Sequence, residues 1–191
     1  GYNGSTWTSL TSEGIVISMP TANKVKTAQE IVNNSTALQD DDELFFNIGA
    51  NETWIFRVVA QGNSGTTPDF RFAMSAPAGA TCRYSGIDAE ATVTTPLVTT
   101  CDNPTAVLAG NGALDTYELV GTVTNGPTPG IVRFRWAQFT LNASNSIIEA
   151  GSFLTAERTS SSLDTFTSFV NGGNSFSTTT LFGTNDDFDL N

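Results

Sequence analysis

Two groups of residues in this 191-residue chain have the chemistry to build a site: a run of carboxylates, Asp40-Asp41-Asp42-Glu43, and a pair of cysteines, Cys82 and Cys101. Two carboxylates held about 5 to 9.5 Å apart can hydrolyse a glycosidic bond, and a larger set of oxygens can hold calcium. The run lacks the D-x-[DN]-x-[DN]-G spacing of an EF-hand. A calcium site with Asp40, Asp41, Asp42 and Glu43 as weak candidate ligands would therefore be irregular. The position of the run, directly before the apolar Leu44-Phe45-Phe46, favours a solvated turn, and catalysis is the most remote of the three readings. A second oxygen-rich stretch, Asn185-Asp186-Asp187-Phe188-Asp189, reads as a solvated tail. The cysteines could close a loop of about 20 residues, worth about 3 kcal/mol in a chain-entropy account. Two free thiols in a reducing compartment are the other reading, and two cysteines alone do not decide between them.

What is missing narrows the chemistry further. With no histidine in the chain, a Ser-His-Asp triad, a Cys-His pair and any imidazole metal site are excluded. The nearest approach to a phosphate loop, Gly110-Asn111-Gly112, has neither the lysine nor the helix that such a loop needs. Neither an enzyme nor a cofactor is expected. Charged residues make up only 14% of the chain, and acidic residues outnumber basic ones 19 to 8, for a net charge of -11. Such a surface repels nucleic acid and anionic membranes, so neither is an expected partner. No stretch approaches the roughly 18 apolar residues of a membrane-spanning helix, so no membrane insertion is expected, and Gly1-Tyr2-Asn3-Gly4 does not read as a signal peptide.

The elements that must position these residues read as strands. Helical periodicity is hard to find, whereas β-branched and aromatic clusters recur between Gly, Pro, Asn and Asp. Candidate strands are 15–18, 43–48, 53–60, 69–75, 81–87, 91–95, 106–108, 117–124, 130–138 and 152–158. Their spacing of about 8 to 12 residues predicts an all-β antiparallel sandwich or barrel. Alternation puts Val132, Phe134 and Trp136 on one face of a strand and Arg133 and Arg135 on the other, and likewise Trp54, Phe56 and Val58 opposite Arg57. Trp54 and Trp136 read as core, while Trp7 and Tyr84 are freer. Thr124-Asn125-Gly126-Pro127 carries the Asn-Gly pair of a tight hairpin. Arg133 and Arg135 are interface candidates, because two cations on one strand of so acidic a chain should find carboxylate partners; plain solvent exposure is the alternative. The sequons at Asn33, Asn51 and Asn142 are expected by chance in a chain rich in Asn, Ser and Thr.

The ends differ from the middle. Residues 1–20 hold one aromatic anchor, Trp7, and read as an arm or first strand; residues 21–158 form the sandwich; residues 159–191 are a Ser/Thr-rich stretch with Phe166, Phe169, Phe176, Phe182 and Phe188 at intervals. The phenylalanines fit an extended arm docking on a neighbouring subunit, with Trp7, Phe166, Phe169, Phe176 and Phe182 as its contacts, and a disordered linker is the alternative.

The run from Lys26 through Leu44, continuing through Gly49-Ala50-Asn51-Glu52-Thr53-Trp54 and Thr67-Pro68-Asp69-Phe70-Arg71-Phe72-Ala73, resembles β-sandwich domains of tailed-phage virion surface proteins, of the head-decoration, head-fibre and tail-fibre type. So do Gly121 to Gly126, Trp136-Ala137-Gln138, Asn142-Ala143-Ser144 and Ala150 to Leu154. The likeness covers roughly residues 20 to 158. It implies a jelly-roll-like sandwich, a virion surface location, a homotrimer, and a partner such as the major capsid protein, and it brings no catalytic residues. The first functional expectation is a capsid decoration, cement or head-fibre protein. The alternatives are a tail-fibre domain that binds a host receptor or surface glycan, and a bacterial adhesin or carbohydrate-binding module.

Overall fold

A strand with one apolar face needs a second such face to cover it, and alternating strands therefore stack as two sheets. The computed structural model describes residues 20–88 and 94–159. Over these it holds ten strands and no helix: β1 (Thr21–Val25), β2 (Glu30–Val32), β3 (Gln39–Ile48), β4 (Thr53–Asn63), β5 (Phe70–Ser75), β6 (Thr81–Ile87), β7 (Leu114–Thr124), β8 (Gly130–Gln138), β9 (Ser146–Ile148) and β10 (Phe153–Arg158). The larger sheet runs β1-β10-β4-β7-β6, with β9 beside the end of β4 and β2 beside β9; the smaller runs β3-β8-β5. All these pairings are antiparallel. The chain is an all-β antiparallel sandwich.

The core lies where the inner faces meet. Trp54, Phe56 and Val58 of β4 and Tyr117, Leu119 and Val123 of β7 face Phe70, Phe72 and Met74 of β5 and Val132, Phe134 and Trp136 of β8, all of them buried. The rings meet edge to face, Phe70 on Tyr117 and Phe72 on Phe134, each with centroids 5.0 Å apart. Such pairs add about 0.5 to 1.5 kcal/mol beyond the area they bury. Gly121 of β7 stands in register between Phe56 and Tyr84. A Cβ there would collide with backbone of β6 at Arg83 and Tyr84, so only glycine lets β6 and β7 lie this close.

Strands 81–87 and 130–138 form with the expected bounds, and 43–48, 53–60 and 117–124 are parts of strands that extend further at one end. Candidate strand 15–18 lies outside the described residues, as does most of 91–95. The segment 106–108 forms no strand; its Leu108 makes only an isolated bridge to Phe70. The Asn125-Gly126 turn is not a hairpin: β7 belongs to the large sheet and β8 to the small one. Asn125 instead staples two crossovers together. Its side-chain amide donates to the carbonyls of Gly49 and Thr128, both at 2.8 Å, and its N–H donates to the Glu52 carbonyl at 2.8 Å.

A two-sheet stack is open along two sides, and each is closed differently. On one side the edge strands are β6 and β5, and the segment after β6 laces them with backbone bonds: Val98 and Tyr84 exchange N–H···O bonds, Asp102 and Thr105 donate to Met74 and Phe72, and Leu108 and Phe70 exchange bonds. The Cys82–Cys101 disulfide lies in this seam. On the other side β1 faces β3, and that seam is closed by charged side chains.

Candidate functional site

Lys26 follows β1 directly. Its N–H donates to the Ser152 carbonyl at 2.7 Å and its carbonyl accepts from the Gly151 N–H at 2.9 Å, which ties its backbone to the turn that leads into β10. The side chain, 1% exposed, goes inward between the sheets and puts Nζ 2.5 Å from Glu30 Oε1, 3.0 Å from Asp41 Oδ2 and 3.9 Å from Glu43 Oε2. Four carbons of lysine stem give the reach to carry a charge that deep, and a buried charge persists only when it is paired.

The carboxylates come from a bulge. In β3 Asp40 pairs with Arg135 and Phe45 with Arg133, so residues 41–44 stand opposite the single residue Phe134. The extra residues bend the strand and re-aim its side chains. Asp41, with a fully buried side chain, closes the bulge on itself: Oδ1 accepts from the N–H of Glu43 at 3.0 Å and of Leu44 at 2.8 Å. Glu30 is held by Gln39 Nε2 at 3.1 Å and the Asp42 N–H at 2.9 Å. Glu43 accepts from the N–H groups of Thr27 and Ala28 and from the Thr27 hydroxyl. Burial works to lower the Lys26 pKa, but hydrogen bonds to Glu30 and Asp41 outweigh it and hold the pKa above the ordinary lysine value. The Thr27 hydroxyl and N–H pull the Glu43 carboxyl below its ordinary range.

This geometry corrects two expectations. The acidic run is not a solvated turn, since it lies within a strand and Asp41 is in the interior. The calcium reading of Asp40, Asp41, Asp42 and Glu43 gives way as well: Asp41 and Glu43 face the Lys26 ammonium, while Asp40 reaches Arg135. Among the described residues no group of three or more His, Cys, Asp and Glu is arranged to hold a metal. Sequence reasoning missed Lys26 and Glu30, whose only signal is a lysine and a glutamate four residues apart in a strand-rich segment.

Arg133 and Arg135 find the expected acidic partners within their own chain. Arg135 reaches Asp40 at 2.7 Å, Asp102 at 2.9 Å and the Leu38 carbonyl at 3.1 Å. Arg133 lies 4.9 Å above the Phe45 ring, which also has the Lys24 ammonium at 5.3 Å. Tyr84 is not free but buried. Its hydroxyl donates to the Asn103 carbonyl at 2.5 Å, and burial pushes its pKa up to about 12. Trp54 and Trp136 are core. Trp7, Phe166, Phe169, Phe176, Phe182 and the 185–189 stretch lie outside the described residues.

The outer face of the large sheet is the other candidate surface. Register sets its side chains in rows across the strands: Thr21, Glu157, Ile55, Thr122, Arg83; then Asn23, Thr155, Arg57, Val120, Ser85; then Val25, Phe153, Val59, Glu118, Ile87. A further row holds Ile31, Ile147, Asn63 and Leu114. Val25 is 61% exposed, Leu114 58% and Ile31 46%. The face carries a shallow depression of about 340 Å³, with Ile55 in its lining between Thr21, Asn23, Thr155 and Arg57. Arg57 pairs with Glu118. Comparison with family models finds no match, and comparison with curated proteins finds none.

Proposed function

We propose that the chain is a structural domain of a phage virion surface, a decoration, cement or head-fibre protein, that self-associates as a homotrimer and seats on a capsid protein. The observation that carries this reading is the outer face of the large sheet. It exposes four large apolar side chains, Val25, Ile31, Ile55 and Leu114, which contact with another copy would cover. Its charges also balance: Arg83 stands in the same row as Glu157, and Arg57 pairs with Glu118 of the neighbouring row, in a chain of net charge -11. Like-charge repulsion between copies is least where the local charge is near zero, so this is where copies can meet. The carboxylates of Asp40, Asp41 and Glu43 are engaged with Arg135, Lys26 and backbone N–H groups, which fits a structural role better than a catalytic one.

Mass photometry and multi-angle light scattering test this reading. The wild-type chain is expected as a trimer, and Val25→Asp with Ile55→Asp is expected to shift it to monomer without loss of the β-sheet circular dichroism signal. A wild-type monomer across the micromolar range overturns the proposal.

A further inference from the structure

The Lys26 cage sets an amine against a carboxyl group in a water-poor site, with a second carboxyl touching the amine. We propose that Lys26 and Asp41 join covalently, through an isopeptide bond from Nζ to Cγ, with Glu30 carrying the protons. Three features of the geometry support the reaction. Nζ is 3.0 Å from Asp41 Oδ2, and the two side chains are 1% and 0% exposed. Fixing two reactants in contact removes the entropic cost of their encounter. The two oxygens of Asp41 are held differently: Oδ1 accepts two backbone N–H bonds, while Oδ2 has no hydrogen-bond partner beyond its ion pair with Lys26. Oδ1 is therefore the oxygen to keep and Oδ2 the one to lose. Glu30 Oε1 is 2.5 Å from Nζ and is fixed by Gln39 and the Asp42 N–H.

The resting form is the ion pair. The reactive form is the minority one in which a proton has passed from Nζ to Asp41 Oδ2 by way of Glu30, giving a neutral amine beside a neutral carboxylic acid. The nitrogen lone pair attacks Cγ, the C–N bond forms, and the carbonyl electron pair moves onto Oδ1, where the N–H groups of Glu43 and Leu44 are already aimed. Glu30 takes the surplus proton from nitrogen and returns it to Oδ2. The Cγ–Oδ2 bond breaks with its electron pair, Oδ1 re-forms the carbonyl, and one water leaves. Glu30 ends as it began, and no oxidant, reductant or metal enters the balance. The product is a neutral amide in place of a buried ion pair, linking the segment after β1 to the bulge of β3.

The test is the intact mass of the full chain, reduced and unfolded. The expected mass is one water below that of the sequence, and a proteolytic digest read by tandem mass spectrometry is expected to contain a branched peptide joining Lys26 to Asp41. In Glu30→Gln the water is expected to be retained while the circular dichroism spectrum stays that of the wild type. A wild-type mass equal to that of the full sequence overturns the bond, and so does a water loss that maps to other residues. Formation of the bond at full yield in Glu30→Gln overturns the part assigned to Glu30.

Discussion

The two open sides of the sandwich are closed by different chemistry. The seam between β6 and β5 is laced by backbone bonds and the Cys82–Cys101 link, across a sequence separation of 19. The seam between β1 and β3 is held by one lysine set into a cage of carboxylates. The first has distributed strength: if one contact is lost, the neighbouring N–H···O bonds remain. The second concentrates its closure in a single lysine nitrogen, whether paired or bonded to Asp41, because Asp41 is fully buried and a buried carboxylate without a partner is costly. An edge held by side chains is thus more fragile to single substitution than an edge held by backbone. That asymmetry can be broken by experiment.

Lys26→Met is expected to have the largest effect. It leaves Asp41 buried with neither cation nor the proposed amide partner, at a cost of at least about 3 to 5 kcal/mol, read as a fall in the urea midpoint. Next comes Cys82→Ser with Cys101→Ser, expected to cost about 3 kcal/mol for a loop of this size while the backbone lacing persists. If the cysteine pair costs more than Lys26→Met, the ranking of the seams is reversed and the lacing is not the stronger closure.

The same contrast explains what could be read in the sequence. The strands of the core were legible because Val132, Phe134 and Trp136, or Trp54, Phe56 and Val58, alternate with polar neighbours, and alternation reports the face directly. The cysteines show by their type that a link is possible, and only their juxtaposition in the fold settles that it forms. The cage does not: Lys26, Glu30 and Asp41 are common surface residues, and only the bulge between Asp40 and Phe45 turns Asp41 inward. A bulge has no composition of its own here, so four consecutive acids looked like a turn. The short strands β1, β2 and β9 are too brief to show a period, and they form because β10 and β4 offer them an edge. Asn125-Gly126 marks a reversal of the chain, but a dipeptide cannot say whether the strands it joins share a sheet.

A contact away from both seams sharpens the comparison. Glu52, beside the crossovers, accepts from Trp54 Nε1 at 2.8 Å, the Gly49 N–H at 2.7 Å and Arg158 Nη1 at 3.0 Å. Partial burial works to raise its pKa, but these donors outweigh it and hold the carboxyl below its ordinary value. A carboxyl depressed in the folded state stabilises at pH above its unfolded value of about 4.3. That contribution fades as the pH falls through the lower folded value. Glu52→Gln is therefore expected to cost about 1 to 2 kcal/mol at neutral pH, with a difference from wild type that shrinks as urea midpoints are followed down to pH 3. A difference that stays constant with pH would assign the effect to packing.

The smallest expected effect is at Arg135, which reaches into both seams. On the outer face of the small sheet Arg135 joins Asp40, at the start of the bulge, to Asp102, beside the disulfide. Its partners are about half exposed, and ion pairs of that kind contribute little, because solvent screens them and long side chains lose freedom in making them. Arg135→Ala is expected to cost less than about 1 kcal/mol, and less again in 1 M salt, where screening acts within about 3 Å. The informative quantity is the coupling between variants. If the seams are independent closures, the costs of Lys26→Met and the cysteine pair add within about 0.5 kcal/mol whether or not Arg135 is present. If their coupling is larger and disappears in Arg135→Ala, the arginine transmits strain across the sheet, and the two sides of the sandwich open as one unit.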